Sequence, residues 1–166
     1  LSNVKYISEE DYIAINKRSA VHTGDVLMAM IGTIGNPIVI TEQPRYSIKN
    51  VALFKTNKNQ NPWFLKYYLE HPATKAQMQN DAKGTTQKFV GLGYLRNFPI
   101  NAPTLETQND IVEQINTVFQ EIETLEQAVK ESIEAYGALK SAILAQELQP
   151  PQSEAAWTKL TLAQNS

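Results

Sequence analysis

LETQNDIVEQINTVFQEIETLEQAVKESIEAYGALKSAILAQEL, Leu105 to Leu148, sets Ile111, Ile115, Val118, Ile122, Leu125, Val129, Ser132, Tyr136, Leu139 and Ile143 at alternating steps of four and three. All but Ser132 are apolar, which is the period of a coiled-coil seam. The run holds no proline and a single glycine, Gly137. One helix over it reaches about 65 Å at about 1.5 Å per residue. Thr104, following Pro103, is the expected N-cap, and Pro150 and Pro151 stop the helix. A domain of roughly 100 residues has a radius of gyration of about 13 Å, so most of such a rod is expected to project and to need a partner helix for its apolar stripe. Val112, Phe119 and Ile133 on one side of the seam, and Ala128, Ala135 and Ala142 on the other, make the face wider than two strands require. β-Branched residues at Ile115, Ile122, Val129 and Ile143 favour two strands in parallel coils and leave the orientation open.

The 166 residues leave room for one modest domain and an appendage. There is no cysteine, which excludes disulfides, thiolate chemistry and zinc-thiolate sites. No apolar run approaches the roughly 20 residues that span a bilayer, and the start, LSNVKYISEED, lacks the regions of a signal peptide. A soluble, cytoplasmic protein is expected, and Leu1 in place of Met suggests a cut or processed end. The net charge of −2 conceals an opposition between halves. Residues 1–103 carry twelve Lys and Arg against seven Asp and Glu, whereas residues 104–166 carry three against ten. A basic module that meets a polyanion and an acidic module with another task fit this asymmetry.

Ser8, followed by Glu9, Glu10 and Asp11, predicts a capped helix with Tyr12, Ile13 and Ile15 as its apolar positions, ending near Lys17 and Arg18. Val26–Ile31 and Ile38–Ile40 read as strands joined through Gly32, Gly35, Asn36 and Pro37, and Asn50–Lys55 as a third. Asn61 then Pro62 begins a helix that stops before Pro72, and a second helix follows over Pro72–Ala82. Trp63, Phe64, Tyr67 and Tyr68 stand at helical spacing and read as core rather than as base-stacking rings. Beyond the polar loop NDAKGTTQKF, a helical stub at Leu92–Arg96 leads to a last strand around Phe98–Ile100. The tail QPPQSEAAWTKLTLAQNS is polar and broken by proline, a disordered or docking segment around Trp157.

FVGLG, Phe89 to Gly93, has the spacing of a loop that holds S-adenosylmethionine. Such a loop follows a buried strand, opens a helix and has an acid near the next strand end for the ribose. Here it follows a polar loop, and YLRNFPINAP contains no acid, so it reads as a turn. His22 and His71 are isolated, which argues against a metal site. Asp81-Ala82-Lys83 has the acid-x-lysine form of a nuclease site, with Glu70 as a further carboxylate, but lies at a helix-to-loop junction. MIGTIGN lacks the Gly-Lys-Ser/Thr of a phosphate loop. No catalytic residue, metal or cofactor is expected.

What remains is a basic set in loops. Lys17, Arg18, Arg45, Lys49, Lys83 and Lys88 suit phosphates, and Asn50, Thr85, Thr86 and Gln87 suit base edges. KGTTQK is the foremost candidate, since two lysines bracket three hydrogen-bonding side chains beside a glycine; a plain solvated loop has the same composition.

KYISEEDY, GDVLMAMIGTIGN, NVALFK, NPWFLKYYL and GTTQKFVGLGYLRNFPINAPTLETQNDIVEQI, in that order, resemble the specificity subunit of type I restriction-modification systems. The resemblance covers residues 1 to about 147 and is most specific in GDVL with GTIG and in FPINAPTLETQ. It implies an α+β protein: a mixed α/β target-recognition domain over 1–103, a long projecting coiled-coil helix over 104–148 as spacer, and a tail over 149–166. It further implies a non-catalytic subunit that reads one half of a split double-stranded DNA target through Lys83–Lys88 and docks methyltransferase subunits and a restriction or translocase subunit. Full members carry two recognition domains and two spacer helices, and further strands upstream of this start, so a half-subunit or fragment that pairs with its own copy is expected. A coiled-coil adaptor whose basic head binds protein or nucleic acid without sequence choice is the rival reading.

Overall fold

A computed structural model of the chain describes residues 5–149. The tail from 150, with Trp157, lies outside the described residues. Two compact units make up the chain, Leu1–Asn116 and Thr117–Ser166.

In the first unit, helix α1 (Glu9–Ser19) precedes strands β1 (Val26–Ala29), β2 (Gly35–Val39) and β3 (Val51–Phe54). Helices α2 (Pro62–Glu70), α3 (Pro72–Asp81) and α4 (Leu92–Arg96) follow, and α5 (Leu105–Glu147) begins here and runs on through the second unit. The strands form one antiparallel sheet in the order β2-β1-β3. β1 takes the centre because Val26, Leu27 and Met28 are all buried, so both of its faces are covered. Val26 and Met28 join Ala52 from β3, Leu69 from α2, Met78 from α3, and Val90 and Leu95 in one core. Leu27 points the other way and packs with Val21 and Ile40, against which Ile48, Val51 and Leu53 rest.

β2 is an edge strand, and its sequence shows why. Leu27 faces Ile38 and Ala29 faces Gly35, so one residue of β1 is opposed by two of β2, Asn36 and Pro37. This is a bulge. Pro37 has no N–H to donate, and Gly35 and Asn36 take the left-handed values φ 113° and 51° that the kink requires.

The caps hold the helices where local chemistry dictates. The Ser8 hydroxyl accepts from the Asp11 N–H at 3.1 Å, and the Asn61 side chain accepts from Trp63 N–H at 2.8 Å, with Pro62 next in line. α1 forms as the Ser8 cap predicts, ending after Lys17 and Arg18, and buries none of its residues, leaving Ile13 and Ile15 exposed. Two expectations are corrected. Phe98–Ile100 forms no strand: Phe98 packs against the core, and Pro99 cannot donate to a ladder. Of the four aromatics of α2, Trp63 is exposed, while Phe64, Tyr67 and Tyr68 are half-buried.

The start of α5 is part of the first unit's packing. Val112, placed beside the seam by its spacing, is a core residue at 7% exposure, and Ile111 and Ile115 are half-buried. Gln108 is 2% exposed; its Oε1 accepts from the Asn61 N–H at 2.9 Å and its Nε2 donates to the Pro103 carbonyl at 2.8 Å. In the second unit α5 continues without a break to Glu147, and every described residue is exposed, Leu125, Val129, Tyr136 and Leu139 among them. No helix among the described residues is long and apolar enough to cross a membrane.

Candidate nucleic-acid interface

The segment Lys83–Phe89 closes on itself through the main chain. Lys83 N–H donates to the Phe89 carbonyl at 2.9 Å, and Phe89 N–H donates to the Lys83 carbonyl at 2.8 Å. Gly84 makes the closure possible. Its φ is +100°, and a Cβ there would stand 2.4 Å from the Gln87 carbonyl oxygen. The loop is fastened to the end of β1 by two more backbone bonds, Gly32 N–H to Lys88 carbonyl at 2.9 Å and Val90 N–H to Met30 carbonyl at 3.0 Å. Gln87 then lies across Gly32, its Nε2 3.3 Å from the position of a Cβ on that glycine. Every side chain from Lys83 to Phe89 is exposed. GTIG and KGTTQKF, some fifty residues apart in sequence, thus form one structure.

The predicted cations and amides divide between the two ends of the sheet. Val51 is opposite Ala29, so Lys49 and Asn50 immediately precede β3 at the end that carries the Gly32 turn and the Lys83–Phe89 loop. Asn50 has φ 62°, a left-handed value that asparagine tolerates. Lys17 and Arg18 belong to the other end. They close α1 beside Ala20, whose carbonyl accepts from Lys55 Nζ just past Phe54, the residue opposite Val26. The two ends of β1 are about 10 Å apart at about 3.3 Å per residue. Arg45 lies 3.6 Å from the Glu9 carboxylate at the start of α1; both side chains are largely exposed, so the pair is worth at most about 1 kcal/mol. Lys49, Asn50, Lys83, Thr85, Thr86, Gln87 and Lys88 therefore lie at one end of the sheet, and Lys17 and Arg18 at the other.

Other candidate chemistry dissolves into structure. The Phe89–Gly93 stretch supplies the loop's closing residue, a core side chain in Val90 and the N-cap of α4 in Gly91. Asp81, of the acid-x-lysine motif, accepts the Tyr94 hydroxyl at 2.8 Å. Burial first, then the bond to Asp81 and its negative charge, push the Tyr94 hydroxyl up to about 12. Among the described residues no group of three His, Cys, Asp or Glu is placed to hold a metal ion. Asp25, 4% exposed, accepts from His22 N–H at 2.7 Å and Lys55 Nζ at 2.6 Å and so braces the far end of the sheet.

Residues 2–135 match the family model for the type I restriction modification DNA specificity domain. The chain belongs to that family. The match spans the Gly32 turn, the Lys83–Phe89 loop and α5 as far as residue 135, so one family pattern runs through both units of the specificity domain. This specificity domain is also similar to the type I restriction enzyme EcoBI specificity subunit of Escherichia coli, with 26% identity over 147 residues. The alignment takes in 87% of this chain and 31% of that protein, so the specificity domain spans under a third of its relative's length.

Proposed function

We propose that the chain is a non-catalytic DNA-recognition subunit of a type I restriction-modification system, reading one half of a bipartite target. In this reading, residues 1–103 recognise the DNA, 104–148 serve as spacer and dimerisation helix, and 149–166 form a tail. Thr85, Thr86, Gln87 and Asn50 address base edges while Lys49, Lys83 and Lys88 take phosphates. The helix docks methyltransferase subunits, a restriction or translocase subunit is a further partner, and the seam pairs two copies of the chain as a coiled coil. The supporting observation is the family match over residues 2–135, which spans both the closed loop and most of the helix.

Selection from a pool of random duplexes, with and without the methyltransferase, tests the reading. One fixed half-motif is expected to be enriched. Thr86→Ala and Gln87→Ala are each expected to relax one base position by about 1–3 kcal/mol, whereas Lys83→Ala and Lys88→Ala weaken all sequences alike. Uniform, salt-sensitive retention without a motif assigns the chain to the adaptor reading instead.

A further inference from the structure

We infer that Lys75, on α3, is a phosphate-contacting cation of the same DNA surface as the Lys83–Lys88 loop, with the turn Ile31–Asn36 as the floor that joins them. The inference rests on the DNA-reading function proposed above and extends it to a residue that the sequence places in a helix, away from every loop.

Two contacts on one turn carry it. Gln87 lies over Gly32 at one end of the turn, and at the other the Lys75 stem lies over Gly35, with Cε 3.5 Å and Cγ 4.0 Å from the position of a Cβ. Gly35 is buried while Lys75 is half-buried, so the methylenes cover the backbone, and a lysine so placed keeps its ammonium in water. A side chain at Gly35 would meet that stem. The three ion pairs among the described residues engage Arg45, Lys55 and Lys66. Among the described residues Lys75 has no carboxylate within 4.0 Å, and neither do Lys49, Lys83 and Lys88. Four cations outside those ion pairs thus share one end of a three-stranded sheet, around a turn whose glycines let the Gln87 and Lys75 side chains lie against its backbone. Unpaired lysines bring no local ion-pair energy to the fold, and held together they present the charge that a phosphate backbone neutralises.

Binding of the full chain to a duplex bearing the enriched motif, and to a scrambled one, over a range of salt tests this. Lys75→Met keeps an unbranched stem over Gly35 and removes only the charge. It is expected to weaken both duplexes by the same factor, about three- to tenfold, and to lower the slope of log K against log salt by about 0.9. Lys75→Arg is expected to restore the parental slope. Lys58→Met makes the same change of charge beyond the other end of the sheet, and with salt screening should leave affinity within about twofold. Parental affinity and slope in Lys75→Met, with both lost in Lys83→Ala, would mean that the stem only covers the glycine, and the inference falls while the DNA reading stands. If the parent chain retains no duplex at all, the reading itself fails and takes Lys75 with it.

Discussion

Lys83 and Phe89 exchange a pair of backbone hydrogen bonds, at 2.9 and 2.8 Å, and so turn five intervening residues into a loop closed through the main chain. Only Gly84 is fixed by geometry, having positive φ and the Gln87 carbonyl where a Cβ would go. Gly84→Ala is therefore expected to cost about 1–3 kcal/mol of local strain and, if the loop reads DNA as proposed, to erase base preference at the position assigned to Gln87. Gly93→Ala, within α4 and with nothing inside 4 Å of an added Cβ, should instead stabilise by about 0.4–1 kcal/mol. Thermal melting and motif selection on the two variants check both.

Tyr94 joins α4 to the last residue of α3 and so spans the base of that loop. Its hydroxyl, raised from 10.0 to about 12 by burial and by Asp81, holds its proton more tightly in the folded chain than in the unfolded one. The stability it contributes is complete below pH 10 and is lost as pH rises through about 12. Denaturant midpoints on either side of pH 10 should fall more steeply in the parent than in Tyr94→Phe.

Gln108 spends both ends of its amide on the main chain around it. Gln108→Ala strands the Asn61 N–H and the Pro103 carbonyl in a buried place, and about 2–3 kcal/mol is the expected loss in urea unfolding. Gln114→Ala, exposed on the same helix, should stay within about 0.5 kcal/mol of the parent.

Leu125 and Val129 are 65% and 58% exposed. If they form part of a seam between copies, the parent chain sediments as a dimer, and a Leu125→Glu, Val129→Glu double variant sediments as single copies with unchanged helical circular dichroism. Since burying each such side chain is worth roughly 1.5–3 kcal/mol, the dissociation constant should rise at least about a hundredfold.

Much of the fold was legible because local chemistry set it. Ser8, Asn61-Pro62 and the Pro72 step marked helix starts, and the proline-free stretch after Pro103 marked α5. The false strand at Phe98–Ile100 shows the limit: Phe98 packs against the core while Pro99 and Ile100 stay exposed, so an apolar triplet need not join a ladder, and only the packing tells which. The loop KGTTQK was recognisable by composition, but its partner turn was not, since the Gly32–Lys88 bond joins residues 56 apart. For the same reason the basic set could not be sorted by sheet end. Lys17 and Lys83 look equivalent as loop-flanking cations until strand register separates them. Gln108 reads as an ordinary polar residue in a first turn; nothing local signals that Asn61 and Pro103 enclose it. Lys75 was hidden similarly, as a helical lysine whose neighbour is a glycine forty residues earlier.

The main-chain bonds that hold the Lys83–Phe89 loop separate its frame from its wording. Residues 85 to 87 take no part in those bonds, so, if the loop reads DNA as proposed, new target preferences lie within reach of single substitutions, with little cost in foldability for each trial.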